Sequence, residues 1–229
     1  MIPKSVRAAR KKLGRVFSQR CLYLLLALVV LIFVAQVLQA GAHARIVFNA
    51  LHLLVLISAI AAVGHSTTSF VLAALLAVPI LIFQALGIYD DDITKLFISW
   101  SFGVAFYLLT LGYLLGYVFR EDVITTDKLY GAAAAYLMLA VLWTYGYNLA
   151  QGGVAGAFAA GGDADRVLGF VELLYFSITV LTSTGFGDIA PLSPLARALV
   201  TLEEIVGVLF VAILIARLAG IYPPRTRRS

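Results

Sequence analysis

The sequence predicts an all-α membrane protein with six transmembrane helices and one shorter, re-entrant apolar segment. Of the 229 residues, 62% are hydrophobic and only 13% are charged, whereas about 25% are charged in a typical soluble domain. The mean hydropathy is +0.99. A helix needs about 20 apolar residues to cross about 30 Å of hydrocarbon. Six runs meet that length, and we predict spans at 21–40, 46–63, 70–88, 96–119, 129–149 and 196–221.

Basic residues gather at the two ends of the chain. The first twenty positions hold seven Lys or Arg and no acidic residue, and three arginines lie in the segment 223–229. Basic residues beside a transmembrane helix favour the cytoplasmic side. We therefore predict a multi-pass protein of the plasma membrane with both termini cytoplasmic, and no nucleic acid as partner. The alternative is a cleaved signal peptide, but its apolar core would have about 20 residues instead of the usual 7–15.

A glycine motif follows the fifth span. Residues 182–188 read TSTGFGD, and the apolar run 167–181 before them has the length of a short helix. Glycine adopts left-handed backbone angles, which turn successive carbonyl groups to the same side. Irregular backbone at membrane depth occurs only where it is buried in protein or lines water. We predict a re-entrant pore helix that leads into a strand whose carbonyl oxygens face a cation.

This motif resembles the selectivity filter of the tetrameric potassium-channel superfamily. The family pattern begins with two aromatic residues and a serine, here Tyr175, Phe176 and Ser177, and continues through the TSTGFGD motif. The resemblance implies that filter carbonyls replace the hydration shell of K⁺. By that resemblance the filter is Ser183, Thr184, Gly185, Phe186 and Gly187, with K⁺ at the first four. The residues that support the filter would be Tyr175, Phe176, Thr179, Thr182 and Asp188, with Asp188 at the outer mouth.

Two filter positions depart from the family pattern. The innermost threonine of the family is Ser183 here, which keeps the hydroxyl and loses the methyl group that restricts its rotamer. The valine or isoleucine before the first glycine is Thr184, whose hydroxyl costs about 1–3 kcal/mol if it is buried without a partner. We expect that partner to be Thr179 or a water. Both changes leave every coordinating carbonyl in place, and both could loosen the filter.

The sixth span would be the inner helix. The resemblance places a hinge at Gly207, although close helix packing explains a glycine in a membrane helix equally well. It also places the cavity and inner gate at Val211, Ile215 and Ala219. Ionisable residues are costly in a membrane helix, so we expect Glu203 and Glu204 to face the pore helix or a polar pocket, with Arg197 as a candidate partner. The alternative is solvation of both carboxylates at the membrane interface.

The first four spans precede the pore module, as in six-segment channels that lack sensor arginines. We divide the chain into a basic segment 1–20, a four-helix domain like a voltage sensor at 21–122, a pore domain at 123–222 and a basic tail at 223–229. The fourth span has Lys95 and Arg120 at its ends and no charge between them. Several charges are needed to sense voltage, so we expect little or none. We also expect His52 to form an interhelical hydrogen bond and 152–162 to be a flexible outer loop.

The resemblance implies passive conduction of K⁺ through a homotetramer, because one chain supplies one pore loop. A weakly selective monovalent cation channel and a subunit of a potassium-uptake transporter are the alternatives. Transporters of that kind carry four pore loops in one chain, whereas this chain has one. We predict that the chain is not an enzyme and has no cofactor besides the permeant K⁺. Anionic lipid is a candidate partner of the basic N-terminal segment.

Overall fold

The computed structural model describes residues 19–38, 42–63, 67–86, 93–120 and 125–218. Contacts divide the chain into two units, Met1–Tyr145 and Gly146–Ser229. Most of the basic segment 1–20, the tail 223–229 and the gate residue Ala219 lie outside the described residues. In chain order the elements are α1 (Arg20–Val37), α2 (Ala42–Val63), α3 (Thr67–Leu86), α4 (Ile93–Val118), α5 (Thr126–Gly153), β1 (Phe158–Ala160), α6 (Phe170–Leu181), β2 (Ile189–Pro191) and α7 (Pro194–Leu218).

All helices except α6 are long and apolar enough to cross a membrane, which confirms the six predicted spans and the all-α class. Helix α6 is apolar but has only 12 residues. At 1.5 Å per residue it is about 18 Å long, well short of the hydrocarbon thickness. It therefore has the length expected of a segment that enters the membrane without crossing it.

All six membrane-length helices begin one to four residues earlier than the hydropathy predicted. Helix α5 runs past both of its predicted ends, so Gly152 and Gly153 are helical and not part of a loop. Helix α7 begins at Pro194, and the Ser193 hydroxyl accepts a hydrogen bond of 3.1 Å from the Ala196 N–H. A serine cap followed by proline is a favoured way to start a helix. Hydropathy misses such starts because the capping residues are polar.

In the first unit, α1 packs on α2, α3 packs on α4, and α2 also contacts α3 and α4. The beginning of α5 lies close to α1 and α4. A Cβ added at Gly131 would lie 3.0 Å from Val118 and 3.2 Å from Cys21, which is itself buried. The Asp127 carboxylate accepts hydrogen bonds from the Cys21 N–H at 3.1 Å and from the Tyr117 hydroxyl at 2.9 Å.

A buried polar cluster lies in the middle of the first unit. His52 Nδ1 is 3.0 Å from Gln84 Oε1, and His52 Nε2 is 3.0 Å from the Tyr107 hydroxyl and 3.3 Å from the Tyr145 hydroxyl. Because an amide oxygen only accepts, the hydrogen bond to Gln84 assigns a proton to His52 Nδ1. Gln84 Nε2 then donates to the Tyr145 hydroxyl at 3.2 Å. The expected interhelical hydrogen bond of His52 is therefore present.

The second unit is built around α6. Helix α7 packs along α6, and β1 and β2 pair antiparallel with Phe158 opposite Pro191 and Ala160 opposite Ile189. The strands lie before and after α6 in the chain, so the ribbon joins the two ends of the segment that contains α6. This corrects the prediction of a flexible loop at 152–162. Phe158 and Ala159 are buried, and a strand of three residues is too short for an alternating pattern to reveal it.

Candidate functional site

The TSTGFGD motif, Thr182–Asp188, forms an irregular loop directly after α6, here called the glycine loop. Its first amides point back into the helix. The Ser183 N–H donates to the Val180 carbonyl at 2.8 Å, and the N–H groups of Thr184 and Gly185 donate to the Thr179 carbonyl at 2.8 and 3.2 Å. These bonds occupy carbonyls that a helix C-terminus otherwise leaves without partners. The loop is thereby fixed to the helix through its amides.

The backbone of the glycine loop alternates in handedness. Ser183, Gly185 and Gly187 have positive φ of 55°, 50° and 80°, while Thr184 and Phe186 do not. Alternation between right- and left-handed angles turns successive peptide groups so that their carbonyls lie on one side. Ser183 is the only non-glycine residue with positive φ in the described part of the chain. A non-glycine residue in this region is uncommon, and such strain tends to occur at functional sites.

The carbonyl groups of the loop are left for another ligand. Among the described residues, no N–H or side-chain donor bonds to the carbonyls of Ser183, Thr184, Gly185 or Phe186. The loop residues are exposed on the isolated chain, and Phe186 is 69% exposed. Carbonyl oxygens without hydrogen-bond partners are the kind of ligand that a dehydrated monovalent cation requires.

The threonine hydroxyls near the loop have partners. Thr182 Oγ1 donates to the Ile178 carbonyl at 2.8 Å and lies 2.9 Å from Thr184 Oγ1. Thr179 Oγ1 donates to the Phe176 carbonyl at 2.8 Å. The Thr184 hydroxyl therefore has the partner that it was expected to need, but this partner is not Thr179. Its partner is the Thr182 hydroxyl, two residues earlier on the same loop.

Tyr175 and Phe176, the two aromatic residues of α6, contact different parts of the second unit. The Tyr175 ring stacks on the Phe186 ring, with centroids 6.4 Å apart and planes 2° from parallel. Phe176 instead lies in an aromatic cluster with Tyr147 and Phe158, at centroid distances of 5.5 and 5.8 Å. Tyr175 thus contacts the loop directly. Phe176 anchors α6 to the end of α5 and to the β ribbon.

The ribbon holds the outer end of the glycine loop. The Gly161 N–H donates to the Asp188 carbonyl at 2.9 Å, and the Leu192 N–H donates to the Ala157 carbonyl at 2.8 Å. Asp188 itself is exposed. The loop is therefore fastened at one end by α6 and at the other by backbone bonds to the segment around β1.

Helix α7 contacts α6 at two points one helical turn apart. Glu203 is fully buried and accepts hydrogen bonds from Ser177 Oγ at 2.6 Å and from the Tyr147 hydroxyl. A Cβ added at Gly207 would lie only 2.3 Å from the carbonyl oxygen of Leu181, the last residue of α6. Glu203 thus faces the pore helix, as the sequence predicted. Gly207 has a packing reason to be glycine, and its role as a hinge stays a prediction.

Arg197 and Glu204 of α7 do not join the buried contact between Glu203 and α6. The Arg197 side chain is exposed and donates to the Pro191 carbonyl at 3.4 Å, so the prediction that Arg197 pairs with either Glu203 or Glu204 is wrong. Glu204 is exposed, next to the buried Glu203. The predicted gate residues Val211 and Ile215 are exposed by 41% and 59% on the isolated chain. An α-helix turns about 100° per residue, so adjacent glutamates must occupy different environments.

Residues 134–222 match the family model described as "Ion channel". The match covers less than half of the chain and includes α6, the glycine loop and α7. No curated protein and no solved structure matches the chain at a significant level. The chain is thus a membrane protein that carries an ion-channel domain, and the family is one of channels and not of enzymes. The prediction that the chain is not an enzyme is confirmed on that ground.

Proposed function

We propose that this chain is a potassium-selective channel that conducts K⁺ passively, with the glycine loop as its selectivity filter. The observation that carries the proposal is the backbone of residues 183–187. The amides of Ser183, Thr184 and Gly185 donate to carbonyls of α6, the handedness of the backbone alternates, and the carbonyls of residues 183–186 lack partners among the described residues. In this proposal the carbonyls of Ser183, Thr184, Gly185 and Phe186 coordinate dehydrated K⁺. Asp188 raises the cation concentration at the outer mouth.

The proposed assembly is a homotetramer. One chain contributes one glycine loop, and a carbonyl cage around an ion needs a ring of such loops, four in potassium filters. Helix α7 supports this assembly because only 11% of its membrane-spanning window is buried within the chain. Large apolar side chains are exposed along it, including Leu202, Ile205, Val208 and Ile213. In the tetramer α7 would line the axis below the filter, with the inner gate at Val211 and Ile215.

The four helices ahead of the pore are proposed to sense voltage weakly or not at all. Helix α4 contains Lys95 as its only charged residue, near its beginning. Moving one charge through the field changes the energy by about 2.3 kcal/mol per 100 mV, so one residue gives a shallow response. We expect a gating charge of about one per subunit or less. A measurement of several charges per subunit would refute this part of the proposal.

We propose the plasma membrane as the location, with both termini cytoplasmic and the basic segment 1–20 against anionic lipid. Each Lys or Arg near an anionic surface contributes about 1 kcal/mol to binding. Purified protein should therefore be more active in vesicles that contain phosphatidylserine than in neutral vesicles. A deletion of residues 4–15 should remove that difference, and an unchanged lipid response in the deletion would contradict the lipid contact.

The test of the main proposal is the reversal potential of purified protein in planar bilayers, with K⁺ on one side and Na⁺ on the other. A value near the K⁺ Nernst limit is expected. Gly185→Ala should lower the K⁺/Na⁺ permeability ratio, because a left-handed φ such as the 50° of Gly185 costs alanine about 1–2 kcal/mol. Gly146→Ala is the matched control, because a Cβ there meets no atom within 4 Å.

A weakly selective cation channel is the second candidate, and Ser183 and Thr184 favour it. Both positions depart from the family pattern, and Ser183 holds a strained φ. A robust current that reverses near zero in the same experiment would establish this candidate and exclude the first. Thr184→Val would then be expected to raise selectivity toward K⁺, whereas Ser183→Thr would place a β-branched residue at a φ of 55° and is not expected to do so.

A further inference from the structure

We propose that Glu203 is the positioning residue of the selectivity filter, acting from the inner helix through the pore helix. This inference rests on the proposed function and identifies a residue that determines the specificity of that site. A carboxyl group in the middle of a membrane helix is costly. Glu203 is nevertheless 0% exposed, and no Lys or Arg forms an ion pair with it among the described residues. Its place therefore calls for a structural reason.

The two carboxyl oxygens of Glu203 join three elements. Oε1 accepts from Ser177 Oγ of α6 at 2.6 Å, and Oε2 accepts from the hydroxyl of Tyr147 near the end of α5. Tyr147 and Ser177 are both buried as well. Both hydrogen bonds lie where water is excluded, which makes them stronger than the same bonds exposed to solvent. Glu203 thus fixes both the rotation of α6 and its distance from α7.

The rotation of α6 determines where the glycine loop begins. Ser177 and Thr179 are two residues apart on the rigid helix, and the Thr179 carbonyl receives the N–H groups of Thr184 and Gly185. If α6 turns, this carbonyl moves and the first two coordinating peptides turn with it. The aromatic contacts of Phe176 with Tyr147 and Phe158 support the same helix but restrain it less, because ring contacts tolerate sliding.

Glu203→Leu removes both hydrogen bonds, and Glu203→Gln retains an acceptor for Ser177. We expect Glu203→Leu to lower the K⁺/Na⁺ permeability ratio at least tenfold and Glu203→Gln to have a smaller effect. Ser177→Ala and Tyr147→Phe, which each remove one hydroxyl, should lie between wild type and Glu203→Leu. Glu204→Leu and Glu204→Gln are the matched controls, since Glu204 is the exposed neighbour on the same helix.

A second readout is hydrogen–deuterium exchange of the peptide that covers residues 182–188, measured on the assembled protein. Positioning predicts faster exchange of the Thr184 and Gly185 amides in Glu203→Leu, by about tenfold, because their bonds to the Thr179 carbonyl weaken. A merely structural role would lower the melting temperature and leave these amides as in the wild type. That result, with an unchanged permeability ratio, would overturn the proposal.

The same measurements also cover two other cases, in which the Glu203→Leu variant fails to assemble or the wild type is not selective for K⁺. If Glu203→Leu does not assemble, Ser177→Ala and Tyr147→Phe carry the test, and wild-type exchange and permeability in both would overturn the proposal. If the wild type itself passes no K⁺-selective current, the proposed function fails. The exchange of Thr184 and Gly185 in the variants then still shows whether Glu203 positions the loop.

Discussion

The contact of Gly207 with the end of α6 gives the sharpest test of packing at the candidate filter. In Gly207→Ala the new Cβ would lie 2.3 Å from the Leu181 carbonyl oxygen and 3.1 Å from its carbon. In real proteins a Cβ atom essentially never lies closer than 3.0 Å to a heavy atom of another residue in contact with it. The Leu181 carbonyl belongs to the backbone and cannot swing away as a flexible side chain could. Helices α6 and α7 must therefore separate by about 0.7 Å, which is the difference between the 3.0 Å limit and the 2.3 Å distance of the added Cβ.

The energetic effect of Gly207→Ala on folding is small because two terms oppose each other. Alanine stabilises a helix by about 1 kcal/mol relative to glycine, and overpacking costs about 1–3 kcal/mol. The geometric effect is larger, because Leu181 is followed directly by Thr182 and Ser183. A catalytic or binding geometry tolerates about 0.5 Å of error, so a shift of about 0.7 Å should impair ion coordination. We expect a permeability ratio reduced by tenfold or more.

The assay for Gly207→Ala is the reversal potential in planar bilayers, with tetramer content checked in parallel. Gly146→Ala is the control, because its added methyl group meets nothing within 4 Å. A hinge at Gly207 would predict a different result, namely a changed open probability with a wild-type permeability ratio. That outcome, or full wild-type behaviour, would refute the packing argument.

Three further substitutions test other contacts through thermal unfolding of the purified protein. Ser183→Val should destabilise the protein by about 1 kcal/mol more than Ser183→Ala, because a β-branched residue is poorly accommodated at a φ of 55°; equal stability would argue against strain. Gly103→Ala should cost about 1–3 kcal/mol, since its Cβ would lie 2.4 Å from the Tyr145 ring, while Gly112→Ala, with open space, should be neutral or better. Phe158→Ala should cost about 3–5 kcal/mol, and a loss below about 1 kcal/mol would show that the buried ring is not part of the core.

The spans and the position of the glycine loop could be predicted because both depend on local sequence. Twenty apolar residues in a row have few alternatives to a membrane helix, and glycines at 185 and 187 occur where the backbone has positive φ. The burial of Glu203 against the pore helix could be predicted for a related reason. A carboxyl group at that depth must find polar partners, and α6 carries the hydroxyl groups of Ser177 and Thr179.

The partners themselves could not be predicted from the sequence. Glu203 and Tyr147 are separated by 56 positions, and no pattern connects them. The Arg197 prediction failed because opposite charge was taken as the criterion, whereas hydroxyl groups satisfy Glu203. The strand at Phe158–Ala160 was missed because it is bounded by glycines and has three residues. The partners of Glu203 are far away in sequence, and the strand is too short to show an alternating pattern of apolar residues.

The two contacts between α6 and α7 have the same spacing on both helices. Ser177 of α6 contacts Glu203 of α7, and Leu181, four residues later, contacts Gly207, also four residues later. Residue numbers therefore rise in the same direction along the two helices. The helices therefore run parallel where they touch, with one polar and one close-packed contact on one face of each. A helix held at two points on one face can neither slide nor rotate freely. In the proposed channel α7 would therefore support the filter, and the largest effects on ion selectivity outside the glycine loop are expected at Glu203 and Gly207.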